Sequence, residues 1–395
     1  MGDGLEIAFF GSSLVSAWWN GACTYYRGVI RGLHDLGHRV TFFEPIAYDR
    51  QLHRDIDDPE WAEVVIYGAE DEEMVRAVVE RARGADVVVK TSGVGVFDDV
   101  LEDAVVALAG AETTTIFWDV DAPATLARLE CDPADPFRGL LPRYDLVLTY
   151  GGGKPVVDHY TRLGARECVV VYNALDPLTH HPVEPEDRFR ADLALLANRL
   201  PDREDRIEEF FFRAAALSPQ RHFLLGGNGW HNKAMPANVR AVGHVGPQDH
   251  NAFNCSATSV LNVTRDSMAA NGWSPATRVF EAAGVGACLI TDAWEGIGRF
   301  LEPESEVLVA EDGVAVAAHL EALDEERARE IGSRAAKRVA AEHTYTHRAE
   351  QVDQLLRARA TVGHGAGAPV LRSPPADERT GGLRPSLVRR AGSPA

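Results

Sequence analysis

Residues Thr258 to Glu311 read TSVLNVTRDSMAANGWSPATRVFEAAGVGACLITDAWEGIGRFLEPESEVLVAE. Ser259 to Val263 is a short apolar run that predicts a buried strand. A turn rich in Asn, Gly, Ser and Pro follows, from Asn271 to Pro275. The next segment reads as a helix with Pro275 near its first position and an apolar face at Val279, Ala282 and Ala283. Gly284 and Gly286 end it, and Ala287 to Thr291 and Glu306 to Ala310 predict two more strands. Such a unit leaves a helix N-terminus above the sheet. Its free N–H groups and partial positive charge hold phosphate without a basic side chain. Glu281 lies inside that helix, where a carboxylate can accept hydrogen bonds from both hydroxyls of a ribose. Phosphate and ribose together suggest a nucleotide; a solvated or ion-paired helix residue is the plain alternative.

The chain has 395 residues, 45% hydrophobic and 25% charged, a length that favours two domains. Lys and Arg number 40 against 59 Asp and Glu, a net charge of −19. Such an excess argues against nucleic acid or anionic lipid as partner, and no basic cluster appears before the tail. No apolar run approaches the roughly 20 residues that span a bilayer, and MGDGLEIAFFGSS lacks the basic start of a signal peptide. Cys23, Cys131, Cys168, Cys255 and Cys288 have no metal-ligand spacing and read as reduced thiols of a cytoplasmic protein.

Short apolar strands alternate with helices along the whole chain. Glu6 to Phe10, Arg39 to Phe43, Val87 to Lys90, Thr114 to Trp118, Leu146 to Thr149 and Val169 to Tyr172 are the strands expected in the first half. Leu193 to Ala197, His222 to Leu225 and Ser259 onward continue the series, with a helix from Arg206 to Leu217. The pattern predicts two α/β, Rossmann-like, doubly wound domains facing a central cleft. Residues 1–174 form the first and 191–342 the second, joined by a Pro- and His-rich linker at 175–190. Residues 343–360 are a last helix that can cross back to the first domain, and 361–395, rich in Pro, Gly, Ser and Arg, read as a disordered tail.

The run NVTRDSMAANGWSPATRVFEAAGVGACLITD, Asn262 to Asp292, resembles the donor-binding region of GT-B glycosyltransferases and, more narrowly, the CgeB-like (spore-maturation) glycosyltransferases. Arg265, Asn271, Gly272, the Ser274 to Arg278 run and Glu281 carry the likeness. It implies that Glu281 meets the ribose, and that Ser274, Ala276, Thr277, Arg265, Arg278 and Asn271 surround the phosphates. Arg278 as a paired helix-surface residue is the rival reading. The common retaining pattern has a further Glu eight positions before the helix Glu; here Trp273 stands there, which leaves the sugar contact and the stereochemistry open. LLANRLPDRED, with Arg199 and Arg203, resembles the first strand and loop of a GT-B donor domain. Gly227 in LLGGNGW, and His244 and Val245 in VGHVGPQDHNAF, are the remaining candidates, beside the base or simply at turns.

The first half supplies candidates for the acceptor. Ser12, Ser13, Trp19, Asn20 and Gly21 end one strand and begin a helix, and Tyr150 and Gly151 follow another. Trp18 or Trp19 can stack on a ligand or fill the core. Asp119 and Asp121 are two apart at a strand end. They invite a metal-binding reading, but in a GT-B frame a carboxylate here faces the acceptor as general base or simply binds it. Asp119 is the better candidate, because Asp121 can cap the helix that starts at Pro123.

The resemblance implies a metal-independent transferase moving a sugar from a nucleoside-diphosphate sugar, UDP-sugar favoured, to a small-molecule, glycan or protein acceptor. No cofactor and no metal site are expected. A GT-B-shaped sugar-nucleotide epimerase or hydrolase, and a non-catalytic nucleotide-sugar-binding protein, are the alternatives.

Overall fold

A computed structural model describes residues 4–18 and 20–362. Trp19 and residues 363–395 lie outside the described residues; of the tail expected at 361–395, residues 361–362 continue the last helix. The first domain holds a parallel sheet of β1 (Glu6–Phe10), β2 (Arg39–Pro45), β3 (Glu63–Tyr67), β4 (Val87–Thr91), β5 (Thr114–Asp119), β6 (Leu146–Thr149) and β7 (Cys168–Val170). Their order is β3-β2-β1-β4-β5-β6-β7. The second holds β8 (Ala191–Leu196), β9 (Phe223–Gly226), β10 (Val239–Gly243), β11 (Ala257–Asn262), β12 (Cys288–Asp292) and β13 (Leu308–Ala310), ordered β10-β9-β8-β11-β12-β13. Both orders reverse beside the first strand of the domain, between β1 and β4 and between β8 and β11. In open α/β sheets that reversal opens a ligand crevice at the carboxyl ends of the strands.

Alternation along each strand buries both faces. Ile7 and Phe9 face a core shared with Tyr26 and Leu33, while Ala8 and Phe10 face one with Val75 and Leu101. In the second sheet Leu193 and Leu195 pack with Phe211, and Ala194 and Leu196 with Phe253. Edge strand β3 and the helix Glu72–Glu80 after it were not anticipated. Only Tyr67 of that strand is fully buried, so its pattern is weak; the helix is fixed by Asp71, whose carboxylate accepts from the Met74 N–H at 2.9 Å.

The chain passes between the domains twice, side by side. Leu175 N–H donates to the His343 carbonyl (2.7 Å) and Tyr345 N–H to the Leu175 carbonyl (3.0 Å). The last helix, Tyr345–Val362, lies on the first domain, where Tyr345, Ala349, Val352 and Leu356 enter the core around β1. His38 Nε2 meets Asp353 Oδ1 at 2.7 Å, and Gln351 Nε2 donates to the Val170 carbonyl at 2.9 Å. The partner helix Cys23–Asp35 comes close because Gly28 and Gly32 lack side chains: a Cβ at Gly32 would stand 2.5 Å from that of Ala349.

Gly32→Leu therefore overfills this contact. The expected outcome is a loss of about 1–3 kcal/mol of stability, measured by chemical denaturation; an unchanged midpoint would mean that the last helix is not held there.

Candidate functional site

The carboxyl ends of the two sheets face each other across a cleft of about 300 Å³. The first domain lines it with Gly21, Ala22, Tyr25, Val120 and Tyr150, and the crossing segment adds Asn173. The second domain contributes Val263, Thr264 and Arg265 after β11, together with Arg203, Met268, Ala276 and Thr277. A short helix, Asp266–Asn271, fills what reads in sequence as open loop. The following helix spans Thr277–Gly284, with Ala276 at its N-cap, so Pro275 precedes the helix. No side chain caps it, which leaves the first amide groups directed at the cleft.

Three guanidinium groups gather at this helix end. Arg278 makes no hydrogen bond among the described residues, and its Nη1 is buried without a partner. Burial destabilises its charge, and only Glu281 opposes that. Arg203 donates from Nη2 to the Asn198 carbonyl (3.1 Å), but its Nε is buried and unpaired. Burial and then the neighbouring Arg278 weaken its charged form, with Arg265 adding to the strain. Arg265 is better satisfied: Nε donates to Asp202, and Nη1 lies 3.9 Å from Asp121 Oδ2 across the cleft. Burial opposes its charge, but these carboxylates outweigh that effect.

Glu281 does not line this cleft; it lies further along the same helix. Its side chain is 13% exposed, and His180 Nε2 lies 3.8 Å away. Burial pushes the carboxyl up, but His180, Arg278 and His250 together hold it below the usual range. His180 comes from the crossing segment and His250 from the helix His250–Ser256. Neither these histidines nor Tyr25 and Asn173 stand out in the sequence. Each reaches the site through contacts distant along the chain, and the only local signal is the His-rich run after β7.

Arg199 is directed elsewhere: it bonds Glu204 (2.6 Å) and Asn232 (2.7 Å) and lies over the Trp230 ring, while Arg203 takes the cleft position. Gly227, at φ 120°, has no room for a side chain against the Ala197 carbonyl, and its N–H donates to Gly243 at 2.7 Å. His244 is exposed beside Asn228, and Val245 is buried with Phe253. Asn271 ends the short helix, and Ser274 is buried at the domain seam. There the Gly152 N–H donates to the Trp273 carbonyl (2.9 Å), and a Cβ on Gly151 would touch Ser274 Oγ at 3.1 Å. Trp273 itself adopts a positive φ of 49°, uncommon for a bulky residue. The position that carries a carboxylate in the retaining pattern thus belongs to the seam.

The two aspartates stand in different surroundings. Asp119, the better candidate in sequence, is 0% exposed. Its Oδ1 accepts from Ser92 Oγ (2.7 Å), Thr125 Oγ1 (3.1 Å) and the Asp121 N–H (2.9 Å), and its Oδ2 from Tyr160. Burial pushes its pKa up, opposed by these donors. It fixes the end of β5 and does not reach the cleft. Asp121 occupies the N-cap of the helix Ala122–Cys131, but its side chain makes no cap bond; it is 45% exposed and faces Arg265.

The polar residues after β1 are also consumed internally. Ser12 Oγ donates to Asn20 Oδ1 (3.0 Å), Ser13 Oγ to Glu44, and Asn20 Nδ2 to the Ser13 carbonyl (2.8 Å). They shape the loop that presents Gly21. Trp18 stacks on His53 at 4.0 Å. Among the described residues no three His, Cys, Asp or Glu side chains form a group suited to a metal ion, and no helix is long and apolar enough to cross a membrane.

The paired crevices and the cation-lined end of the second sheet define a two-domain fold with a cleft suited to an anion, and comparison with known proteins identifies the fold as GT-B. Residues 203–354 match the family model described as "Glycosyl transferase-like". A sucrose-phosphate synthase from Thermosynechococcus elongatus superposes at TM-score 0.64 and 16% identity, over 89% of this chain and 98% of that one. Anabaena HepE in complex with UDP-glucose gives 0.63 and 15%, over 89% and 99%. An alpha-glucosyltransferase with UDP and a 13-mer DNA gives 0.63 and 9%, over 90% and 100%. No curated protein matches by sequence.

The aspartate geometry predicts a clean separation. Asp119→Asn should cost about 1–3 kcal/mol of stability by disturbing a buried network, whereas Asp121→Asn should leave the melting temperature within about a degree. Equal thermal stability of the two variants would contradict the assignment.

Proposed function

We propose that this chain is a metal-independent glycosyltransferase that moves a sugar from a nucleoside-diphosphate sugar, UDP-sugar favoured, to an acceptor hydroxyl. One observation carries the reading: Arg203, Arg265 and Arg278 crowd the open end of the helix Thr277–Gly284, two of them with buried, unpaired N–H groups. A diphosphate supplies the missing acceptors and the negative charge. The glycosyltransferase-like match over residues 203–354 and the UDP or UDP-glucose named for HepE and the alpha-glucosyltransferase support this donor class. The narrower CgeB-like assignment rests on the run from Arg265 to Glu281.

In this reading Glu281 accepts hydrogen bonds from the ribose hydroxyls, held as a carboxylate by His180 and Arg278. The segment at His244 and Val245 borders the base. As the bond from the anomeric carbon to the phosphate oxygen breaks, its electron pair leaves on the nucleoside diphosphate. Guanidinium groups and helix amides stabilise that charge in the place of a metal ion. The acceptor oxygen bonds to the anomeric carbon and gives its proton to Asp121, the first-domain carboxylate opposite Arg265 at the rim of the cleft.

Incubation with UDP-glucose and an acceptor mixture should yield UDP and a glycosylated product by mass spectrometry, with the rate kept in excess EDTA. Glu281→Ala should weaken UDP binding by about 1.5–3 kcal/mol and leave the fold intact. An isomerised or merely hydrolysed sugar as the sole product, or loss of turnover in EDTA with recovery in manganese, would overturn the reading.

A further inference from the structure

We infer that the acceptor carries its reacting hydroxyl on a flat, apolar body, an aromatic aglycone, and not on a carbohydrate or a polyanion. The inference rests on the glycosyltransferase reading above and concerns the other wall of the same cleft.

The two walls differ in chemistry. All the cations that line the cleft, Arg203 and Arg265, belong to the second domain. The first domain contributes Gly21, Ala22, Tyr25, Val120 and Tyr150, with no charged side chain among them. The polar groups behind this wall are already engaged. Tyr25 O–H donates to the Val171 carbonyl (2.7 Å) and accepts from Trp118 Nε1 (3.1 Å). Asn20 is bound to the Ser13 and Ser16 carbonyls, and Thr149 Oγ1 to the Gly151 carbonyl. Asp119 is saturated by its own donors. The Tyr150 hydroxyl alone among these makes no hydrogen bond within the described chain.

A carbohydrate entering this wall would lose water from several hydroxyls and regain few partners. Each polar group desolvated without a new partner weakens binding. A planar ring loses nothing comparable: it gains the half-buried ring of Tyr150, which is backed by the buried Tyr25 ring 5.9 Å away, and the side of Val120. Above Gly21 there is open room, since a Cβ there would meet no atom within 4 Å. The same loop continues to Trp18, 44% exposed, and its neighbouring segment offers Tyr48 and Leu52, 56% and 80% exposed. A polyanion would also meet the −19 net charge of the chain. The one hydroxyl such an acceptor needs to present meets Asp121 at the rim, and a phenolic proton, with a pKa near 10, leaves more readily for that carboxylate than an alcohol's.

The probe is 4-methylumbelliferone, a flat fluorescent phenol, titrated into the UDP-loaded full chain. Saturable quenching is expected, with no displacement by maltotriose or by a DNA oligonucleotide. Gly21→Phe fills the open space without disturbing the backbone; it should weaken the phenol at least about tenfold while UDP affinity stays within about twofold. Failure of the wild type to bind UDP would strike the donor reading. With UDP bound, the absence of phenol binding, displacement by maltotriose or DNA, or an unaffected Gly21→Phe would each overturn the inference about the acceptor.

Discussion

Everything in the cleft follows from one electrostatic conflict, the gathering of Arg203, Arg265 and Arg278 at a helix N-terminus that already carries positive charge. In a chain of net charge −19 these groups could have been neutralised by neighbouring acids. They are only partly so: Asp202 and Asp121 hold Arg265, Glu281 stands near Arg278, and buried nitrogens of Arg203 and Arg278 remain unpaired. An unpaired buried donor is costly and rare in a native fold. The economical resolution is an anion with several acceptor oxygens, delivered by the substrate.

The scaffold holds that conflict in place. Two adjacent crossings at Leu175 and His343 to Tyr345, and the last helix seated on the first domain, set how the sheets face each other. Arg348 Nε, donating to the Tyr172 carbonyl at 3.1 Å, ties the returning chain to the outgoing one. The seam between Gly152 and Trp273 then brings the two strand-end layers into contact on the far side of the cleft. Asn173 Nδ2, donating to the Pro275 carbonyl at 3.2 Å, links the crossing directly to the entrance of the phosphate-facing helix.

The alternation of strands and helices and the run from Asn262 to Asp292 made the two-domain architecture legible in the sequence, because parallel strands buried on both faces leave continuous apolar runs. Half-exposed β3 left a fainter one. Side-chain direction at the site was much less legible. The sequence favours Asp119 over Asp121, yet Asp119, the last residue of β5, is held in a pocket of Ser92, Thr125 and Tyr160, while Asp121, already off the strand at the start of the next helix, faces Arg265. Arg199 and Arg203 differ in the same way, one drawn to Glu204 and Trp230, the other into the cleft. Trp273 marks a departure from the retaining pattern, and its use in the seam depends on Gly153 and Gly296, which are far away in sequence and leave room for its ring. His180 and His250 meet Glu281 only once the crossing segment is folded.

The most direct measurement compares UDP, UMP and uridine by isothermal titration at two salt concentrations. If the guanidinium cluster and the helix amides exist to hold a diphosphate, UDP binds far more tightly than UMP, uridine more weakly still, and the advantage of UDP shrinks as salt rises. Equal affinities for the three, or an advantage indifferent to salt, would contradict the account.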